Sequence, residues 1–344
     1  VHCQIHGLVL PKRIAPFGRP DPSLPPLKPR QQDDKAMITS KCSCGSLRVE
    51  FAVPTAGDSC TEHRLVDCHC ANCRRYHVSA FARYIEIPEN DVTVLGDTAE
   101  RYTDTCAELG NVERTNCRRC KSKLLTRSTE SELIHVNMGP IDDATVPETV
   151  VEQWKKAQVT QWQPHMKVSW ATAQPQVSRE TTNQTPPVRA TGGCTCGHET
   201  FDFVLTAPTE IQHCYCYLCR QLSGSLFMSW VPIFTKLDQF HWQQPQQSIA
   251  TSESKHSPHS IRYTNIGTRH VCNNCSSILS ILYDFGDRDD RFGVIWIAAG
   301  SMDSIRLPFC IEPYLGRVAH ICCRYKPAWY ELPDDNLPRF LEAS

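Results

Sequence analysis

The same cysteine array occurs twice in the chain, as Cys68, Cys70 and Cys73 in CHCANC and as Cys214, Cys216 and Cys219 in CYCYLC. A CxC pair is badly placed to close on itself as a disulfide, whereas thiolates two or three residues apart can converge on one tetrahedral ion. Three thiolates leave a zinc ion one ligand short, and an open position is what a catalytic zinc requires. The remaining paired cysteines come as CxC (Cys42 and Cys44; Cys194 and Cys196) and as CxxC (Cys117 and Cys120; Cys272 and Cys275). Taken four at a time they match the ligand count of a closed structural zinc. The expected load is therefore up to four zinc ions, two closed and two open.

An open three-thiolate site favours particular chemistry. Three thiolates on a divalent cation give a formal charge of minus one, which blunts its Lewis acidity compared with neutral histidine ligands. Such a site suits a fourth sulfur, keeping an incoming thiol deprotonated near neutral pH and presenting it to an electrophilic carbon. Making or breaking a carbon–sulfur bond follows. Arg74 and Arg220, one residue past each array, are candidates to balance that charge or to meet a substrate carboxylate. His69 and His77 stand close to the first array, with surface or core placement as the ordinary alternative to a ligand or base role. Arg118, Arg119, Lys121 and Lys123 surround the first CxxC, where they would compensate a four-thiolate zinc. Cys3, Cys60, Cys106, Cys310, Cys322 and Cys323 have no partner by spacing and are expected to be buried free thiols.

The elements that must position these groups also repeat. CSCG at 42–45 answers CTCG at 194–197, CHCANCR answers CYCYLCR, and CRRC at 117–120 answers CNNC at 272–275. Between the clusters, Arg101-Tyr102-Thr103 matches Arg262-Tyr263-Thr264. At the same offset, Ile134-His135-Val136 with Gly139 and Asp142 matches Ile295-Trp296-Ile297 with Gly300 and Asp303. Each copy then runs to a tryptophan, Trp170 or Trp329. A duplicated domain is the economical reading. Leu47, Val49, Phe51 and Val53 alternate with less apolar residues, as do Phe201, Phe203 and Leu205, and this period of two marks half-buried strands. Phe81–Ile87 and 293–298 are rich in β-branched and aromatic residues, so mainly β domains with few helices are expected.

The 344 residues suffice for two ordinary domains. The organisation expected is a proline-rich arm over 1–36, a first domain over 37–170, a polar linker over 171–190, a second domain over 191–335 and a short tail over 336–344. Lysine and arginine total 36 against 37 acidic residues, so no general electrostatic grip on nucleic acid or anionic membrane is expected. No apolar run approaches the length needed to span a bilayer, and the start lacks a secretory pattern. A soluble cytoplasmic protein is expected, with the nucleus as the second option.

The order CxCG, CxCxxCR, CxxC, then an apolar strand ending in glycine and aspartate, resembles the glutathione-dependent formaldehyde-activating enzymes, a family that includes centromere protein V. The resemblance covers nearly all of 38–335, twice. It implies two tandem zinc-binding β-tent domains, in which the CxC and CxxC hold a structural zinc and the CxCxxC holds one at the active site. It also implies a substrate class, glutathione and formaldehyde joined as S-hydroxymethylglutathione, and hence a carbon–sulfur lyase of the S-(hydroxymethyl)glutathione synthase type. Cys68, Cys70, Cys73, Cys214, Cys216 and Cys219 would then be the catalytic ligands, with Arg74, Arg220, Gly224 and Ser225 beside the bound thiol. Copy two keeps the family's Gly-Ser pair as Gly224-Ser225 where copy one has Val78-Ser79. Copy one keeps the family's histidine as His69 where copy two has Tyr215. Lys121 and Ser276 replace the glycine that usually follows the CxxC.

Two functions that differ in kind follow: an enzyme acting on a thiol adduct of a small carbonyl compound, or a zinc-stabilised module that binds protein or chromatin partners. The open arrays favour the enzyme, with copy two as the working site, because Gly224 would let a backbone approach a ligand where stiff Val78 would crowd it.

Overall fold

The computed structural model describes residues 31–32, 35–55, 64–168, 188–205, 209–233, 240–243, 259–264, 267–283, 295–303 and 315–343. Most of the expected arm and linker, together with Trp170, Cys3, Cys60 and Cys310, lie outside them. The first copy opens with β1 (Gln31–Gln32), β2 (Lys35–Lys41), β3 (Arg48–Pro54), β4 (Leu65–Cys68), α1 (Ala71–His77), β5 (Ala82–Pro88) and β6 (Val92–Leu95). It continues with β7 (Ala99–Cys106), β8 (Gly110–Cys117), β9 (Lys123–Ser128), β10 (Leu133–Asn137), α2 (Glu148–Lys156) and β11 (Thr160–Trp162). The second copy has β12 (Val188–Gly193), β13 (Thr200–Leu205), β14 (Thr209–Cys214), α3 (Tyr217–Ser223), β15 (Met228–Ile233) and β16 (His241–Gln243). After these come β17 (His259–Thr264), β18 (Gly267–Val271), β19 (Ile278–Tyr283), β20 (Ile295–Ala298) and β21 (Leu315–Ile321).

The protein is mainly β, and its two halves share one topology. A seven-stranded sheet runs β11-β4-β5-β10-β9-β8-β7 in the first copy and β21-β14-β15-β20-β19-β18-β17 in the second, so every strand has a counterpart in the same place. In each, one parallel pair, β4 with β11 or β14 with β21, closes an otherwise antiparallel sheet. A smaller sheet, β1-β2-β3-β6 or β12-β13-β16, packs alongside. The alternation read in the sequence is the burial pattern: Leu47, Val49, Phe51 and Val53 are fully buried, as are Phe201 and Phe203. Gathering those faces into one core supplies the main driving force. No helix among the described residues is long and apolar enough to cross a membrane.

The two copies share a seam. One apolar core includes residues of both, with Trp154 edge-on to Trp329 and Phe81 edge-on to Phe227. At the centre, α3 packs on Gly139 of copy one, where a Cβ would stand 2.1 Å from the Ser225 carbonyl oxygen; α1 packs on Gly300 of copy two, where a Cβ would stand 2.5 Å from the Arg74 oxygen. Only glycine admits such an approach, which gives a physical reason for the matched Gly139 and Gly300. Arg220 crosses to Asp143 at 2.9 Å, and Arg75 crosses to Asp303 in the mirror sense. The last residues lie against β21: Phe340 donates its amide to the His320 carbonyl and His320 donates to Pro338.

Candidate metal centres

Four groups of thiols converge, each with all its sulfurs within 4.8 Å of one another: Cys42, Cys44, Cys117 and Cys120; Cys194, Cys196, Cys272 and Cys275; Cys68, Cys70, Cys73 and Cys106; and Cys214, Cys216 and Cys219. The first two groups are alike. Each joins the CxC turn that follows the first long strand of its small sheet to the CxxC turn of its large sheet, between β8 and β9 or between β18 and β19. Backbone amides point at the sulfurs, Leu47 at Cys42 and Glu199 at Cys194, both at 3.2 Å. Lys121 and Ser276, the residues after each CxxC, have φ of 54° and 61°. A left-handed turn, which glycine takes without cost, is therefore made here by residues that tolerate it poorly.

In both arrays the CxC ends a strand and begins a helix. Cys68 closes β4, and Cys70 caps α1, its sulfur accepting the Cys73 amide at 3.4 Å; Cys214 closes β14, and Cys216 caps α3 in the same way. A thiol at a helix start is eased toward its thiolate. The two arrays differ in what else reaches them. Cys106, expected to be a free thiol, stands 3.9 Å from Cys68 and 3.7 Å from Cys73, and all four sulfurs are buried. This corrects the expectation of two open arrays, because the first has a fourth donor. Cys106 arrives on the β7–β8 hairpin, which pairs down to Cys106 opposite Gly110, whereas β17–β18 ends at Thr264 opposite Gly267. The signal was present in the sequence: copy one has extra residues between its Arg-Tyr-Thr and its CxxC, and they contain Cys106. Hydrogen bonds from Cys106 and Cys68 hold the Cys73 thiol down at about 6.

Three sulfurs meet in the second array. Cys214 and Cys216, hydrogen-bonding to its thiolate, hold Cys219 well below the usual thiol range, aided by the charge of Arg269. Cys322 follows Ile321, which pairs with Cys214, but its sulfur is outside the group that converges.

The other candidates fall into place around these clusters. His77 is fully buried; its Nδ1 donates to the Ser223 carbonyl at 2.7 Å, which leaves Nε2 to accept from the Tyr84 hydroxyl at 2.9 Å, and burial pulls it down to about 3. His69 pairs with Gln161 at 2.9 Å, and burial lowers it. Neither ring belongs to a cluster. Arg74 donates to the Met166 carbonyl at 2.7 Å, and Arg220 reaches Asp143. Gly224 and Val78 both end their helices in the left-handed conformation. A Cβ on Gly224 would meet Asn137 and Lys123 of copy one, and Ser225 donates to the Phe81 carbonyl at 2.8 Å, so both partners lie across the seam. Of the basic residues near the first CxxC, Arg118 donates to the Asp97 carbonyl, Lys121 pairs with Glu100, and Lys123 is fully buried, donating to the Leu222 carbonyl of α3.

The family model of the glutathione-dependent formaldehyde-activating enzyme matches the chain twice, over residues 37–157 and 189–323, together about three quarters of its length. The chain belongs to this family. Its two matched segments coincide with the two sheets that carry the clusters, so the repeat is a tandem of the family's domain. No curated protein sequence matches the chain. The donor sets fit the metal expected of such a domain: thiolate-only groups of four, buried and within reach of one ion, are what zinc takes as closed sites.

Proposed function

We propose that the chain makes or breaks a carbon–sulfur bond in a thiol adduct of a small carbonyl compound, of the S-(hydroxymethyl)glutathione kind, and that the work is done at Cys214, Cys216 and Cys219. The observation that carries this reading is that, among the described residues, three sulfurs converge in the second array against four in the first. Family membership supplies the thiol and carbonyl chemistry. A zinc ion held by the three thiolates would supply a positive centre with one position left for a fourth sulfur.

The rest falls to the chain. The fold holds the three donors at a strand end and a helix cap, so their geometry is fixed before a ligand arrives. Cys214 and Cys219 are buried and Cys216 is partly open, which gives the array one side from which a small molecule can enter. Addition forms one carbon–sulfur bond and moves the thiol proton to the carbonyl oxygen; the reverse step returns both. Cys68, Cys70 and Cys73, with Cys106, form a closed scaffold that braces the seam. Turnover of S-hydroxymethylglutathione should fall at least a hundredfold in Cys216→Ser and persist in a folded Cys70→Ser chain. Loss in the copy-one variant alone would reverse the assignment, and absence of turnover in the zinc-loaded intact chain would favour the binding-module reading.

A further inference from the structure

Arg114 and Arg269 hold the same place, three residues before the CxxC, and each is fully enclosed beside the array of its own copy. Their surroundings differ. Arg114 uses its whole guanidinium: Nε donates to Asp104 at 2.9 Å, Nη1 lies 3.5 Å from both the Tyr84 hydroxyl and Thr126 Oγ1, and Nη2 points at Cys73 Sγ at 3.7 Å. Arg269 keeps only the last of these, with Nη2 at 3.9 Å from Cys219 Sγ. Its Nε and Nη1 have no hydrogen-bond partner among the described residues. Trp230 stands in β15 where Tyr84 stands in β5, Ile281 replaces Thr126, and β17 carries no acidic residue. What remains are aromatic faces, Trp230 at 5.8 Å and Tyr263 at 5.5 Å. These soften the burial of a cation but accept no hydrogen bond at Nε or Nη1.

Leaving two donors of a buried guanidinium unmet costs several kcal/mol. The copy that leaves them unmet is the copy whose array gathers three sulfurs among the described residues. We infer that the two vacancies are filled by one ligand: a thiol bearing a carboxylate a few bonds from its sulfur, with the sulfur completing the array of Cys214, Cys216 and Cys219 and the carboxylate taken by Arg269. A carboxylate oxygen at Nε restores the charge-assisted pairing that Asp104 gives Arg114. The short distance from Nη2 to Cys219 sets the spacing: the acid must sit close to the thiol, as in a mercapto acid. This inference rests on the reading of the second array as a thiol site and names Arg269 as its specificity-determining residue.

The test uses the full chain loaded with cobalt(II), whose visible spectrum changes when a fourth sulfur is added. Mercaptoacetate and 2-mercaptoethanol are titrated at pH 7 into the parent chain, Arg269→Gln and Arg269→Lys. The affinity ratio of the two thiols is compared between chains, so their different thiol ionisation cancels. The parent should favour mercaptoacetate by about tenfold more than Arg269→Gln does, with 2-mercaptoethanol affinity nearly unchanged and Arg269→Lys intermediate. An equal ratio in all three chains overturns the inference while leaving the thiol site standing. If neither thiol changes the parent spectrum, the thiol site itself fails and the inference falls with it. Should Arg269→Gln not load cobalt, the comparison of the parent with Arg269→Lys decides by the same criterion.

Discussion

The two arrays begin from one motif and end in different chemistry. In the first, a long hairpin brings Cys106 to Cys68, Cys70 and Cys73, and Arg114 beside it is paired on every side. In the second, the hairpin is short and, among the described residues, three sulfurs meet and Arg269 keeps two unmatched donors. After a duplication, one copy can become the brace of the other. The seam shows how: each array helix packs on a glycine of the opposite copy, so neither site is free to move without the other.

The largest effects should come from breaking closed clusters. Cys272→Ser removes one of four ligands and forfeits part of a binding free energy of about 10 kcal/mol, so its melting temperature should drop sharply or its second copy fail to fold. Cys216→Ser should melt close to the parent. Equal melts for the two would mean that the second array is as structural as the closed clusters.

The next comparison is between the arrays. Cys106→Ser should lower stability by several kcal/mol and reduce bound zinc by up to one ion per chain. Cys322→Ala, beside the second array but outside it, should leave the metal content unchanged. Elemental analysis of protein purified without chelator reads both, and an unchanged metal load in Cys106→Ser would return the first array to an open site.

A smaller, pH-dependent difference is expected at Lys123, whose counterpart in β19 is Ile278. Burial lowers Lys123 to about 7, below its unfolded value near 10.5. Between those values the unfolded chain binds the extra proton, so the parent gains stability as pH rises from about 7 toward 10.5, by up to about 1.4 kcal/mol per unit. Below about 7 both states are protonated and the cost of the buried charge is fully present. Lys123→Ile lacks this slope, so its stability relative to the parent should decline between pH 7 and 9, as read by denaturant melts. A parallel pH dependence of the two chains would show that folding does not lower the Lys123 ammonium.

The smallest effect is a gain. Ser276 has φ of 61°, and its buried hydroxyl has no partner among the described residues. Ser276→Gly relieves both and should stabilise the second copy by about 1 kcal/mol, whereas a loss in thermal melts would show that the turn does not strain serine.

Much of this was legible in the sequence because it is local. Strand period, the CxC and CxxC spacings and the duplication are properties of neighbours along the chain, and every apolar residue they placed inward in β3 and β13 is buried, with Arg48 and Asp202 buried besides. Cys106 was missed because a lone cysteine has no spacing to read; its role comes from hairpin length, which only pairing reveals. Gly224-Ser225 read as a ligand approach, and the structure adds contacts across the seam, to Asn137 and Lys123 and to the Phe81 carbonyl, since a sequence does not say which backbone comes near a glycine.

The sequence by itself determined the mainly β class, the tandem repeat, fourteen of the fifteen cysteines that cluster and the family they belong to, since each rests on periodicity or short spacing. The tertiary structure alone decided that a fourth sulfur reaches the first array, that Arg269, unlike Arg114, keeps two donors unmatched among the described residues, and that the two copies share one core. Those outcomes depend on groups far apart in the chain, and only folding sets the distances between them.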